Sequence, residues 1–148
     1  MSLKQQITEQ VKQAMKAGQK DRLKVLRLLT AAIKQKEVDE RIELDDAQVL
    51  AVVDKMVKQR RESIEQYSAG NRPELAAAEQ GEIDILVEFL PDPLSDDELA
   101  ALIDQAIADT GASAMADMGK VMGQLKAEVQ GRADMKQVSA TVRARLAG

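Results

Sequence analysis

Asp117-Met118-Gly119-Lys120-Val121-Met122-Gly123, followed by Gly131-Arg132-Ala133-Asp134, is the stretch on which the reading of this chain turns. Met118, Val121, Met122, Leu125 and Val129 recur at i, i+3, i+4, i+7 and i+11, which is one face of a helix. Gly119 and Gly123 lie inside that helix, where each costs about 1 kcal/mol relative to alanine. With about 100° of rotation per residue, Gly119, Gly123 and Lys126 share one flank beside the apolar stripe. The flank is narrow, smooth and ends in a cation. Two readings are open: a neighbouring helix packs closely there, or the flank is a platform for a sugar–phosphate backbone.

Working outward, helical signals continue on both sides. Ser95-Asp96-Asp97-Glu98 is a capping box that opens a helix with Leu99, Leu102, Ile103, Ala106 and Ile107 inward, ending at Gly111. Asp134, with Gln137 three residues later, opens another with Val138, Val142 and Leu146 inward and Lys136 and Arg143 outward. The region after residue 93 therefore reads as three short helices. Pro91-Asp92-Pro93 forbids a continuing helix and is the domain boundary, giving domains 1–92 and 93–148.

Before that boundary four helices are predicted. The first runs from Leu3 to Ala17, capped by Ser2, with Leu3, Ile7, Val11, Ala14 and Met15 inward. The second runs from about Asp21 to Lys36. Val25, Leu26, Leu28, Leu29, Ala32 and Ile33 cover its apolar side; Lys20, Lys24, Arg27 and Lys34 form a basic stripe opposite. That stripe is a solvated face or a second polyanion footprint. The third helix starts at the Asp45/Gln48 capping box and runs to about Tyr67. The fourth starts at Pro73 and ends before Pro91, with Leu75, Leu86, Phe89 and Leu90 inward. Arg60 projects onto the apolar face of the third helix, and Glu79 and Glu82 onto that of the fourth. An unpaired buried charge is costly, so Arg60 is expected to pair with Glu82, or failing that Glu79.

Composition agrees with an all-α fold. Tyr67 and Phe89 are the only aromatic residues, so the core is left to Leu, Ile, Val, Met and Ala. Cysteine and histidine are absent, which removes thiolate nucleophiles, imidazole bases and the usual zinc ligands; no metal and no cofactor is expected. No apolar run is long enough to span a bilayer and residues 1–12 lack the core of a signal peptide, so no membrane contact and a cytoplasmic location are expected. The net charge of −4 is unevenly spread. Residues 1–36 hold nine Lys/Arg against two Asp/Glu, residues 37–114 six against twenty, and residues 115–148 six against three. A basic start and a basic end flank an acidic middle, an arrangement that permits a polyanion partner at either end.

Several stretches resemble one family. Leu26-Arg27-Leu28-Leu29, Ala31-Ala32-Ile33-Lys34, Lys58-Gln59-Arg60-Arg61-Glu62-Ser63-Ile64, Glu88-Phe89-Leu90-Pro91 and the two C-terminal motifs are similar to the YqeY family across nearly the whole chain. Met135 departs from the pattern, standing where the family often has glycine. The resemblance implies an all-helical protein whose tail is a GatB/YqeY-type domain. That domain is shared with the B subunit of bacterial glutamyl-tRNA amidotransferase, where the tail helps to hold tRNA. It also implies a label of carbon–nitrogen ligase with glutamine as amido-N-donor.

The residues weigh against independent catalysis. Ammonia release from glutamine needs a cysteine, or a serine activated by a second serine and a lysine. The six serines here, Ser2, Ser63, Ser68, Ser95, Ser113 and Ser139, are isolated and mostly at caps or turns. No phosphate loop is present, and Gly119-Lys120 lies within a helix whose N–H groups are already used. An accessory module binding tRNA or another folded RNA fits better. Lys120, Lys126, Arg132, Lys136 and Arg143 surround the surface smoothed by Gly119 and Gly123, with no catalytic residue assigned. The alternative is an adaptor that docks on an amidotransferase or translation factor through protein contacts alone.

Overall fold

The structure is a computed structural model that describes residues 1–147. Among the described residues there are seven α-helices and no strand: α1 (Leu3–Lys16), α2 (Lys20–Glu40), α3 (Asp46–Ala69), α4 (Pro73–Leu86), α5 (Asp96–Thr110), α6 (Met118–Val129) and α7 (Met135–Ala147). Short 3-10 turns at Val87–Phe89 and Met115–Asp117 follow α4 and precede α6. No described helix is long and apolar enough to cross a membrane.

The helix starts follow local chemistry. Ser2 with Gln5, Asp45 with Gln48 and Ser95 with Glu98 each form both bonds of a capping box. Pro73 opens α4, where its missing N–H has no cost. Asp134 accepts the Lys136 N–H at 3.0 Å ahead of α7. Two helix ends differ from the sequence expectation. No glycine or proline follows Lys36, and α2 continues to Glu40, stopping where Arg41 turns left-handed at φ 55°. In contrast, α4 stops early at Leu86 because Leu90, preceding Pro91, is held extended.

The chain groups into two compact units, Met1–Leu90 and the remainder from Pro91. Within the second unit a pair of hydrogen bonds holds its first residues. Arg132 Nε donates to the Asp92 carbonyl at 3.0 Å, and the Arg132 carbonyl accepts the Leu94 N–H at 2.8 Å. The proline segment is thereby fastened to the turn between α6 and α7.

In the first unit α4 packs along α3, and α1 along α2. Ile7, Leu29, Val49, Val53 and Leu86 are completely buried at its centre. Three residues expected inward are not: Met15 is 53% exposed, and Leu28 and Leu75 are each 42% exposed. They lie at the edges of their apolar arcs, beyond the width the neighbouring helices cover. Polar ties surround the core. The Leu3 N–H donates to Asp46 Oδ1 at 2.9 Å. Glu37 Oε2 accepts both Lys4 Nζ at 2.6 Å and the Leu44 N–H at 2.9 Å, which fixes the α2–α3 turn. Arg22 forks onto Glu88 at 2.6 and 3.2 Å. Between α3 and α4, Arg60 Nε lies 3.5 Å from Glu82 Oε2, both side chains being less than a quarter exposed. Arg60 Nη1 donates to the Met56 carbonyl at 3.2 Å, while Nε is buried without a hydrogen bond of its own.

In the second unit α6 packs on both α5 and α7. Ile103, Val121, Leu125, Val129, Val138 and Val142 form a wholly aliphatic centre. Arg145 on α7 is paired with Asp104 on α5.

Candidate nucleic-acid interface

The packing arrangement in the second unit turns Val121, Leu125 and Val129 of α6 toward α5 and α7. What remains outward is unusual in size. Gly119, Gly123 and Ala127, spaced four apart, are all exposed. A Cβ built on Gly119 or Gly123 meets no atom within 4 Å. Within the second unit, the described residues therefore show no close helix packing against these glycines, the first of the two readings. No described residue of this unit presses on the flank, and neither glycine has the positive φ that would demand glycine. Lys120, whose side chain is 71% exposed, and Lys126 edge the strip.

Replacing Gly119 and Gly123 together by alanine is expected to raise the urea midpoint of the second unit. The gain should be about 1 kcal/mol, most of it from Gly123 in the helix interior, because a poor helix former is lost and nothing clashes. A lower midpoint would show that something does pack there.

The remaining cations divide into free and employed. Lys136 and Arg143 are exposed on α7, about 10 Å apart along its axis, with only Ala140 between them on that face. Lys120 stands 4.0 Å from Asp117 Oδ1 in a loose i,i+3 pair. Arg132 is half-buried and holds Asp92, so its guanidinium is committed to the fold. On α2, Lys20, Lys24, Arg27 and Lys34 are all exposed.

Two carboxylates, Asp117 and Glu98, organise this unit. Asp117 Oδ2 accepts the N–H groups of Ser113 and Ala114 at 3.1 and 3.3 Å, folding the loop that delivers Gly119. Those two bonds, with a smaller contribution from the Lys120 charge, hold its pKa below the ordinary value. Glu98 is lowered likewise, first by the Ser95 hydroxyl and then by the Ser95 N–H, with Arg132 nearby. In the first unit Lys4, followed by the Leu44 N–H, lowers Glu37. A depressed carboxyl pKa contributes stability above the unfolded-state value and loses it as pH falls through the folded value. Thermal melts should therefore be level from neutral pH down to the ordinary carboxylate range. Below about pH 4 the melting temperature should fall steadily, and a melt that rises there would contradict this account.

The architecture defines a class before it defines a family: an all-helical chain carrying a small-residue strip edged by lysines. Residues 4–146 match the family described as Yqey-like protein, and the chain belongs to that family. It is 30% identical over 129 residues to altered inheritance of mitochondria protein 41, mitochondrial, of Saccharomyces cerevisiae, covering 86% of this chain and 68% of the yeast protein. It is also 32% identical over 89 residues to uncharacterized protein C22F3.15 of Schizosaccharomyces pombe, covering 60% of this chain and 72% of that one.

Proposed function

We propose that this chain is a non-catalytic accessory protein, a four-helix domain joined to a three-helix tail domain that holds tRNA or another folded RNA by its backbone. The observation that carries this reading is the strip Gly119–Gly123–Ala127, open to solvent and edged by Lys120 and Lys126. Gly123 in the interior of α6 and Gly119 in its first turn, with no packing neighbour among the described residues of their unit and no positive φ, favour neither the helix nor its packing. A rigid polyanion approaching closer than a side chain would allow gives them a purpose. Lysines beside such a surface contact phosphates and fix position without reading sequence. The tail contains no aromatic residue, so recognition is by shape and 2′-hydroxyls and not by stacking on unpaired bases. The connection to tRNA-dependent amidation rests on the resemblance of the tail to the amidotransferase B subunit.

The test is a titration of total tRNA into the protein at about 50 and about 200 mM salt, read by anisotropy. Each phosphate neutralised contributes roughly −0.7 to −0.9 to the slope of log affinity against log salt, so binding through several lysines collapses between these conditions. Glutamine at Gly119 and Gly123 supplies bulk with good helix propensity; it should leave the melt intact and weaken binding about tenfold. No binding at the lower salt removes the RNA reading.

A further inference from the structure

The outward face of α2 carries a row of cations. Lys20, Arg27 and Lys34 follow one another at seven-residue intervals. Each interval is a rise of about 10.5 Å with a net turn of roughly 20°, so the row is nearly straight and about 21 Å long. Lys24 stands beside the first interval and Ala31 lies in the second, both exposed. The four cations fall within roughly 80° of arc, and no Asp or Glu of α2 falls in that sector. Among the described residues, none of the four has a carboxylate within 4.0 Å, whereas Lys4 and Arg22 of the same unit are both paired. The exposed cations of α3 are arranged otherwise. Lys55, Lys58 and Arg61 share their sector with Glu62 and Glu65, which offset much of the charge there. Leu23 and Leu28 lie roughly 140° apart on opposite flanks of the α2 row, so no apolar seam runs along it.

We propose that this row is a second RNA-backbone contact, which takes phosphates of the same class of folded RNA that the tail is proposed to hold and rests on that reading for its ligand. A duplex carries about one charge per 1.7 Å of its axis, so a straight row ~21 Å long meets several phosphates in succession. Backbone contact needs cations and close approach, not an apolar surface. Ala31 leaves a strand room to lie between Arg27 and Lys34. A partner helix would need an apolar seam to bury. A bilayer would need the apolar side of α2, which is spent on the core through Val25, Leu26, Leu29 and Ile33. What the row offers is charge in line, and a linear repeating polyanion is the partner that uses it.

The test titrates total tRNA into the full chain by anisotropy at several salt concentrations between about 50 and about 200 mM. Lys24→Gln, Arg27→Gln and Lys34→Gln are combined in one variant; glutamine is a good helix former, so the melt should be unchanged. The slope of log affinity against log salt should shrink by about 2–3, and affinity at the lowest salt should fall at least about thirtyfold. Lys55→Gln with Lys58→Gln and Arg61→Gln removes the same net charge from α3 and should change affinity less than about threefold. An equal loss in that control would overturn the proposal, because net charge and not the row would then set affinity. An unchanged slope in the α2 variant would overturn it too; if reversal of Lys126, Lys136 and Arg143 still weakens binding, the tail reading stands alone. Loss in the α2 variant with none in the tail variant would support the row and remove the tail reading. Failure of tRNA to bind the unaltered protein would end both. Poly-glutamate or phosphatidylserine vesicles that bind the unaltered protein more tightly than tRNA, and lose that binding in the α2 variant, would give the face to another anion and overturn the proposal.

Discussion

Reversing Lys126, Lys136 and Arg143 to glutamate together is expected to lower tRNA affinity at least about a hundredfold at low salt, and to flatten the salt dependence by roughly three phosphate contacts. The three are chosen because all are exposed and, among the described residues, no ion pair or side-chain hydrogen bond holds any of them. Each phosphate bond made by a charged donor is worth about 1.5–3 kcal/mol, so three lost contacts exceed a hundredfold even before the repulsion added by glutamate. Arg132 is left out deliberately. Its substitution would release Asp92 and Leu94, and a loss of binding would then report unfolding as readily as contact. If the triple variant melts normally and binds tRNA as before, the assignment of the surface fails even where binding is real.

The second large effect concerns Arg60 and Glu82. Glu82→Leu is expected to destabilise the first unit by about 2–3 kcal/mol, read from urea melts. It strands a guanidinium whose side chain is only 15% exposed and whose Nε already lacks a hydrogen bond. Part of the pair is in contact with solvent, which places the figure below that of a fully buried pair. Arg60→Met combined with Glu82→Leu should recover most of the loss, because the remaining apolar groups have no charge to desolvate. A double variant as unstable as the single one would mean that the cost lies in packing and not in the orphaned charge.

These two sites also show where sequence was legible. Capping boxes at Ser2, Asp45 and Ser95 act within three residues, so the starts of α1, α3 and α5 could be read directly. Angular projection named Arg60 and Glu82 because both residues break an apolar face, and the structure sets them 3.5 Å apart. Projection did less well at the borders of a face. Leu28 and Leu75 belong to apolar arcs by angle, but only the neighbouring helices decide how wide an arc is covered. The role of Arg132 was illegible for another reason. Its partner is a backbone carbonyl forty residues away, which has no side-chain identity to recognise. The glycines of α6 carry two meanings in sequence, and the structure adds that both positions are open within their unit.

The scarcity of aromatic residues has an optical consequence. Tyr67 and Phe89 both belong to the first unit, and tryptophan is absent. Near-ultraviolet ellipticity and tyrosine emission are therefore blind to α5, α6 and α7, while far-ultraviolet ellipticity sums every helix. Recording both during one melt separates the two units without cutting the chain. A tail that loosens first will appear as lost helicity under an unmoved tyrosine signal.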